Sequence, residues 1–223
     1  QCNNVCTDTR LLKKGELFVA LCGKNYDGNN FVEQAVNNGA AAVVVSNQYI
    51  HNPRLKKVLP DLLKKLPHVI VEDTRKALGQ IAKMNRQKFS GQVIALTGSA
   101  GKTTCKEMIA SILTECGSVL STKGNLNNEV GVPLTLLRIS QQHKYAVIEM
   151  GASRENDIHY LAKFTQANIG LVTNAMLTHL TSFGNIATIA ATKGELFENL
   201  PANGIAVINY DDEFFNMWCR LAV

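Results

Sequence analysis

The chain has 223 residues, 46% of them hydrophobic, and its 23 basic and 18 acidic side chains leave a formal charge of +5. That length and apolar content support one large or two modest domains with a real core. The basic excess is weak and scattered, with pairs such as Lys13-Lys14, Lys56-Lys57 and Lys64-Lys65 reading as solvated surface, which argues against nucleic acid as a partner. No apolar run reaches the ~20 residues of a membrane span, and no signal peptide is visible. The first residue is Gln1 rather than Met, so the natural amino terminus is expected upstream. Six cysteines lie at 2, 6, 22, 105, 116 and 219, and Cys2 and Cys6 have no partner pair at zinc-finger spacing. They read as reduced thiols of a cytoplasmic protein.

Residues 1–77 read as a small α/β unit. A strand is expected over 17–21, a polar Gly-rich loop over 23–30, and a helix with Phe31, Ala35 and Val36 on one face, ending near Asn38-Gly39. A second, buried strand covers 40–45. The helical stretch over 55–66 is expected to break at Pro60, and 68–71 is a third strand. Strand–helix–strand order favours a layered α/β unit. Its polar clusters, Asp8-Thr9-Arg10 and Asp27-Gly28-Asn29-Asn30, suit either a ligand or simple capping and turn formation. Glu72-Asp73-Thr74-Arg75 opens a helix carrying Leu78, Ile81, Ala82 and Met84, with Asp73 or Thr74 as its cap. Residues 86–92 read as a polar hinge.

The second domain, 78–223, contains the strongest motif. Val93, Ile94, Ala95 and Leu96 lead into Thr97-Gly98-Ser99-Ala100-Gly101-Lys102-Thr103-Thr104, and Glu107, Met108, Ile109, Ala110, Ile112 and Leu113 follow at helical spacing. Strand, Gly-containing turn and helix form the context of a phosphate-binding loop. Gly98 and Gly101 let the backbone curl its amides inward, Lys102 brings charge to the outer phosphates, and Thr103 stands where a hydroxyl meets magnesium. The first Gly of the general pattern falls at Leu96 instead. A short strand over 118–120 precedes an Asn-rich segment with Asn125, Asn127 and Asn128, and a helix restarts near Pro133. An apolar strand over 145–148 ends in Glu149, placed by the strand-end rule to hold magnesium beside the phosphates. A helix over 155–164 and a strand over 168–173 lead to the loop containing His179, and a helix over 186–200 carries Lys193 and Glu195, either of which could be a surface residue. A strand over 205–209 and a helix from about 213 complete the chain.

The phosphate loop, Glu149, His179 and Lys193 follow successive strand ends and point to ATP and magnesium chemistry beyond hydrolysis. The guanine-reading Asn-Lys-x-Asp segment of a switch GTPase is missing. A simple kinase needs an acceptor hydroxyl and a base, neither of which the sequence identifies.

The order of Asp8-Thr9-Arg10, Gly15-Glu16-Leu17-Phe18-Val19-Ala20-Leu21, Asp27-Gly28, Thr97 through Thr104, Gly124-Asn125-Leu126-Asn127-Asn128-Glu129-Val130-Gly131-Val132-Pro133, Glu149-Met150-Gly151-Ala152, Thr173-Asn174-Ala175, His179-Leu180, Phe183-Gly184 and Lys193-Gly194-Glu195 resembles the Mur ligase family. It is most similar to the branch that adds D-alanyl-D-alanine in peptidoglycan synthesis, and Leu96 is usual in that family. The resemblance implies an α/β fold. A small amino-terminal substrate domain precedes a P-loop ATPase-type central domain with a mostly parallel sheet, incomplete at its carboxyl end. It implies a monomer that binds ATP through Thr97, Gly98, Ser99, Ala100, Gly101, Lys102, Thr103 and Thr104. Thr103 and Glu149 are implied to hold a first Mg2+ and His179 to help hold a second. Lys102, His179 and Lys193 are the implied catalytic groups, Lys193 falling where related ligases carry a carbamylated lysine. UDP-N-acetylmuramoyl-tripeptide is expected to meet Asp8, Thr9, Arg10, Asp27, Gly28 and Asn29 at its UDP-sugar end and Asn125, Asn127 and Asn128 near ATP, with D-alanyl-D-alanine as the incoming amine. The family often has His where this chain has Asn29. Ser153-Arg154-Glu155-Asn156-Asp157 departs from the commoner Asn-containing version with a Gly-Glu pair and receives no role. Sister Mur ligases and folylpolyglutamate synthetases share this chemistry, but the Asp-Gly loop and residues 124–133 favour the dipeptide-adding branch. The family's third domain, which helps bind ATP and the incoming amine, is not recognisable here, so the chain alone is expected to bind weakly and to show little or no turnover.

Overall fold

The computed structural model describes residues 2, 4–23, 26–177 and 183–222. The chain divides into two compact units, Gln1–Gln80 and Ile81–Val223.

In the first unit, β1 (Val5–Cys6) and β2 (Leu17–Val19) precede a short antiparallel pair, β3 (Cys22–Gly23) and β4 (Tyr26–Asp27). After a 3-10 turn come α1 (Val32–Asn37), β5 (Ala42–Ser46), α2 (Pro53–Leu63) and β6 (His68–Val71). β1, β2, β5 and β6 form a parallel sheet in that order. Phe18 and Ala20 on one strand segment and Val43 and Val45 on the next share a face by strand alternation, and they pack with Val32, Ala35, Leu59 and Leu63. α1 stops where the chain turns through Gly39 at φ +86°, a value that favours glycine.

α2 runs through Pro60 without the expected break. Leu55, Leu59 and Leu63 recur every four residues and are buried, so the apolar stripe holds the helix in register. The Asn52 side chain caps it by accepting from the backbone of Arg54 and Leu55. The donor that Pro60 lacks would have served the carbonyl of Lys56, an exposed residue whose carbonyl water can satisfy.

The division between units falls within α3 (Thr74–Gln87), which Asp73 caps through the amides of Arg75 and Lys76. The expected polar hinge at 86–92 is a clamp. Arg86 is buried and donates to the carbonyls of Thr165, Gln166 and Phe89 at 2.9, 2.7 and 3.0 Å. A helix end leaves such carbonyls without partners, and a guanidinium supplies several donors at once. Asn85 does the same for the carbonyls of Leu136 and Ile139.

The second unit continues with β7 (Gln92–Thr97), α4 (Lys102–Thr114), β8 (Val119–Ser121), α5 (Gly131–Leu136), β9 (Tyr145–Glu149), α6 (Asp157–Thr165), β10 (Ile169–Val172), α7 (Ile186–Glu198), β11 (Ile205–Ile208) and α8 (Phe215–Leu221). Its sheet is entirely parallel, in the order β11-β10-β7-β9-β8. Leu96 and Val147 pack with Ala110 of α4, whereas Val93, Ala95, Ala146 and Ile148 pack with residues of α5 and α6 on the other face. Trp218 is fully buried among residues of α7 and β10 and donates its indole N–H to the carbonyl of Ala190. Two-sided burial is why these strands read as continuous apolar runs. It also places the ends of the central strands β7, β9 and β10 together at one edge of the sheet, where ligands of such folds gather.

Candidate functional site

β7 ends in Thr97, and the chain then turns through Gly98 at φ +148° and Gly101 at φ +75°. A Cβ on Gly98 would stand 1.9 Å from the Thr173 hydroxyl, so β10 packs directly against the loop. Thr173 donates to the Ala100 carbonyl at 2.8 Å. The Asn174 side-chain oxygen accepts from Ala100 N–H at 2.9 Å, and its main-chain carbonyl accepts from Ser99 N–H at 3.0 Å. The first half of the loop is thus fixed from β10. The amides opening α4 have no carbonyl one turn earlier to serve and are available to an anion. Lys102 folds back, donating to the Gly98 carbonyl at 2.8 Å. Burial lowers its pKa, and the charge of Glu149 opposes that shift.

Glu149 is 1% exposed at the end of β9. Thr103 donates to one carboxylate oxygen at 3.0 Å, Asn127 donates to the other at 2.8 Å, and the Glu149 amide donates to the Thr122 hydroxyl at 3.0 Å. A hydroxyl and a carboxylate beside a phosphate loop are the hard oxygen donors that magnesium takes alongside phosphate and water. Among the described residues no group of three or more His, Cys, Asp or Glu could hold a metal. Thr103 and Glu149 together fit a metal that takes its remaining ligands from phosphate and water.

A cavity of about 280 Å³ opens beside the loop. Gly98, Ser99 and Lys102 line one side, and Asn127, Glu129, Ser153, Asp157, Tyr160 and Lys193 are among the residues that line the rest. Lys193 is 3% exposed, so it is not a surface residue. Burial, then the positive charge of Lys102, push its pKa down to about 8, against the pull of Asp157 and Glu195. Its ammonium lies 6.0 Å from the centre of the Phe183 ring. Glu195 is not a free surface group either: its carboxylate accepts from the amides of Asn156 and His159, both at 2.8 Å. It thereby caps α6, whose preceding residue Asn156 has φ 66° and no side-chain cap of its own.

The other expected site residues separate into lining and framework. Thr97 is buried, and its hydroxyl donates to the Met150 carbonyl. Ser99 exchanges hydrogen bonds with the backbone of Met176. Thr104 is exposed in the first turn of α4. Asn127 reaches Glu149, Asn128 lines the cavity while accepting from the amides of Val130 and Gly131, and Asn125 is exposed and outside the cavity lining. In the first unit, Arg10 forms an exposed ion pair with Asp8 at 2.6 Å and holds its carboxyl down to about 2. Thr9 is buried against Gln34, and Asp27 accepts from the amide of Asn29 and the thiol of Cys22. A Cβ on Gly28 would lie 2.6 Å from the backbone of Ala20 and Leu21. The Asn29 side chain is buried and accepts from Ser46 N–H at 3.1 Å. In this structure the Thr9 and Asn29 side chains bind the fold, and Asp8 and Arg10 face outward. His179 lies outside the described residues.

Residues 96–222, more than half of the chain, match the family model described as the Mur ligase middle domain. The chain belongs to the Mur ligase family. Residues 1–86 of this Mur ligase chain match a second model, described as Mur ligase family, catalytic domain. The chain is similar to the Escherichia coli (strain K12) protein named UDP-N-acetylmuramoyl-tripeptide--D-alanyl-D-alanine ligase, at 45% identity over 96% of this chain and 44% of that one. Its Haemophilus influenzae namesake is 41% identical over 98% of this chain and 46% of that one. The crystal structure of MurF from Acinetobacter baumannii superposes with a TM-score of 0.87 at 36% identity, covering 98% of this chain and 46% of that one. The MurF ligase of Thermotoga maritima, solved in complex with ADP, gives 0.82 at 32% identity, covering 98% and 48%. The Mur ligase chain therefore spans just under half the length of the relatives it matches.

The sequence assigns Asp157 no role, and it marks Thr173 and Asn174 as the polar end of a strand without showing what they hold. Two polar residues directly after an apolar strand were the available signal for the loop clamp. Asn156 takes the αL conformation, which Asn tolerates better than most residues. It lets Asp157 begin α6 with its carboxylate at the cavity.

Proposed function

We propose that the protein is an ATP-dependent ligase joining D-alanyl-D-alanine to UDP-N-acetylmuramoyl-tripeptide, and that this chain supplies its phosphate-handling site. The observation carrying this reading is the single cavity that has the phosphate loop on one side and Asn127, Glu129, Asp157 and Lys193 beyond it. Such a cavity lets a terminal phosphate meet a carboxylate from a second molecule. The relatives' names support UDP-N-acetylmuramoyl-tripeptide as that molecule.

In the proposed reaction the terminal carboxylate of the tripeptide attacks the γ-phosphorus of ATP, and ADP leaves. The resulting acyl phosphate gives the carbonyl carbon a leaving group that a bare carboxylate lacks. The amine of D-alanyl-D-alanine attacks that carbon and loses a proton, and the tetrahedral intermediate collapses to the amide and phosphate. Lys102 and the opening amides of α4 stabilise charge on the transferring phosphoryl group. Thr103 and Glu149 hold Mg2+, which when bound neutralises phosphate charge. Asn127 fixes the Glu149 carboxylate. Lys193 contributes either an ammonium or, after its free amine adds to carbon dioxide and loses a proton, a carbamate oxygen donor. The first unit takes the UDP-sugar end through Asp8 and Arg10, beside the loop that Asp27, Gly28 and Asn29 build. The reading includes a monomer acting in the cytoplasm. Among the described residues the six cysteines are unpaired, which suits a reducing compartment, and no helix is long and apolar enough to cross a membrane.

The test supplies the full-length protein with ATP, magnesium, UDP-N-acetylmuramoyl-tripeptide and either D-alanyl-D-alanine or single amino acids, and identifies products by mass. The dipeptide adduct with equimolar phosphate is expected. Exclusive use of a single amino acid overturns the assignment.

A further inference from the structure

Lys106 has no role in the chemistry above, yet its side chain is 0% exposed. A lysine buried in a helix face is destabilising unless its charge is satisfied. Here the ammonium donates to the Thr122 carbonyl at 2.8 Å and lies 2.7 Å from the carboxylate of Glu107, which is 63% exposed.

Thr122 is buried immediately after β8, and it opens the segment that carries Asn127. Its amide donates to the Val147 carbonyl at 3.0 Å, and its hydroxyl accepts from the Glu149 amide at 3.0 Å. Glu149 in turn accepts from Thr103. Thr103 and Lys106 are three residues apart in α4 and so share a helix face. The contacts therefore close a ring: Lys106 to Thr122, Thr122 to Glu149, Glu149 to Thr103, and back along one turn of α4. A shift of Thr122 moves Glu149 relative to Thr103.

We propose that Lys106 is a positioning residue that sets the Glu149 carboxylate against the Thr103 hydroxyl and so tunes this pair for a divalent cation. The proposal rests on the nucleotide–magnesium reading given above. The ammonium acts through the Thr122 carbonyl and needs no contact with nucleotide or metal.

The test measures ADP affinity of the full-length protein by calorimetry, with and without magnesium. The ratio of the two affinities reads the metal site apart from the phosphate loop. Lys106→Met keeps the length of the side chain and removes its charge. It is expected to lower that ratio by about 10–100-fold, as loss of an outer-shell partner does, while affinity without magnesium stays at the wild-type value. Thr122→Val keeps the shape and the Lys106 contact but removes the hydroxyl that accepts from Glu149. It should lower the ratio in the same direction, and the double variant should fall short of the product of the two effects. A folded Lys106→Met chain with the wild-type ratio overturns the proposal, and so does a wild-type ratio in Thr122→Val if Lys106→Met does not fold. Wild-type ADP binding that ignores magnesium is a different result, since it overturns the assignment of Thr103 and Glu149 as the metal pair.

Discussion

Gly98→Ala tests how the phosphate loop is built. The new methyl would sit 1.9 Å from the Thr173 hydroxyl, 3.1 Å from Thr173 Cβ and 3.2 Å from the Asn174 amide nitrogen, at a residue with φ +148°. An L residue held in such a backbone region costs about 1–3 kcal/mol. Forcing the hydroxyl aside adds about 1–3 kcal/mol of overpacking and breaks its bond to the Ala100 carbonyl. The sum, about 2–6 kcal/mol, corresponds to a fall in melting temperature of roughly 5–20 °C for a unit of this size. The single tryptophan, Trp218, is fully buried in the second unit, so its fluorescence reports that unit's unfolding. In a Thr173→Ala background the same Gly98→Ala change should cost about half as much, because only the packing share is relieved. A Gly98→Ala melting curve that coincides with wild type refutes the steric reasoning. An equal loss in both backgrounds shows that Thr173 is not the obstacle.

Lys102→Ala should leave the melting curve near wild type and abolish detectable ADP binding by calorimetry, since its hydrogen bonds are to loop carbonyls and its charge is half-buried beside the cavity. Retained binding would remove Lys102 from the phosphate site. Glu195→Ala strips two amide partners from the start of α6 and should cost about 1–3 kcal/mol in urea unfolding followed by Trp218; a neutral outcome contradicts its capping role. The depressed pKa of Lys193 has a definite sign. As pH rises from about 8 toward the ordinary lysine value, the unfolded chain still holds a proton that the folded chain has released, so stability climbs. Lys193→Met should remove that rise, and an unchanged pH profile would show that another group causes it.

The alternation of apolar strands with amphipathic helices made the layered α/β class and the longer elements legible, but not the two-residue strands β1, β3 and β4, which are too short to show a period. Where the sequence misled, a local rule met a tertiary partner. Pro60 was expected to break α2, but the buried Leu55, Leu59 and Leu63 stripe carries the helix past it. Arg86 looked like a hinge because a charged residue suggests solvent, and nothing nearby in sequence reveals carbonyls some eighty residues away waiting for a guanidinium. The turn at Gly98 and Gly101 and the meeting of Thr103 with Glu149 follow the strand–turn–helix order and the strand-end position visible in the sequence. Asp157, Thr173 and Asn174 were not legible, because their roles depend on which strand ends become neighbours. Asn29 looked like a ligand contact, but its amide ties the loop to β5.

The pairing of Asn174 with the loop also has a consequence in time. Residues 97–104 encode their own turn, but the backbone of Ser99 and Ala100 acquires its fixed partners only when β10 pairs with β7. Parallel pairing across so long a stretch forms slowly, because loop closure must come first. At about 5–20 residues per second, synthesis alone delays Asn174 by several seconds after the loop has emerged. A nascent chain therefore carries the loop sequence well before the loop is held in place. The fixed geometry of Ser99 and Ala100 is acquired only at assembly of the central sheet.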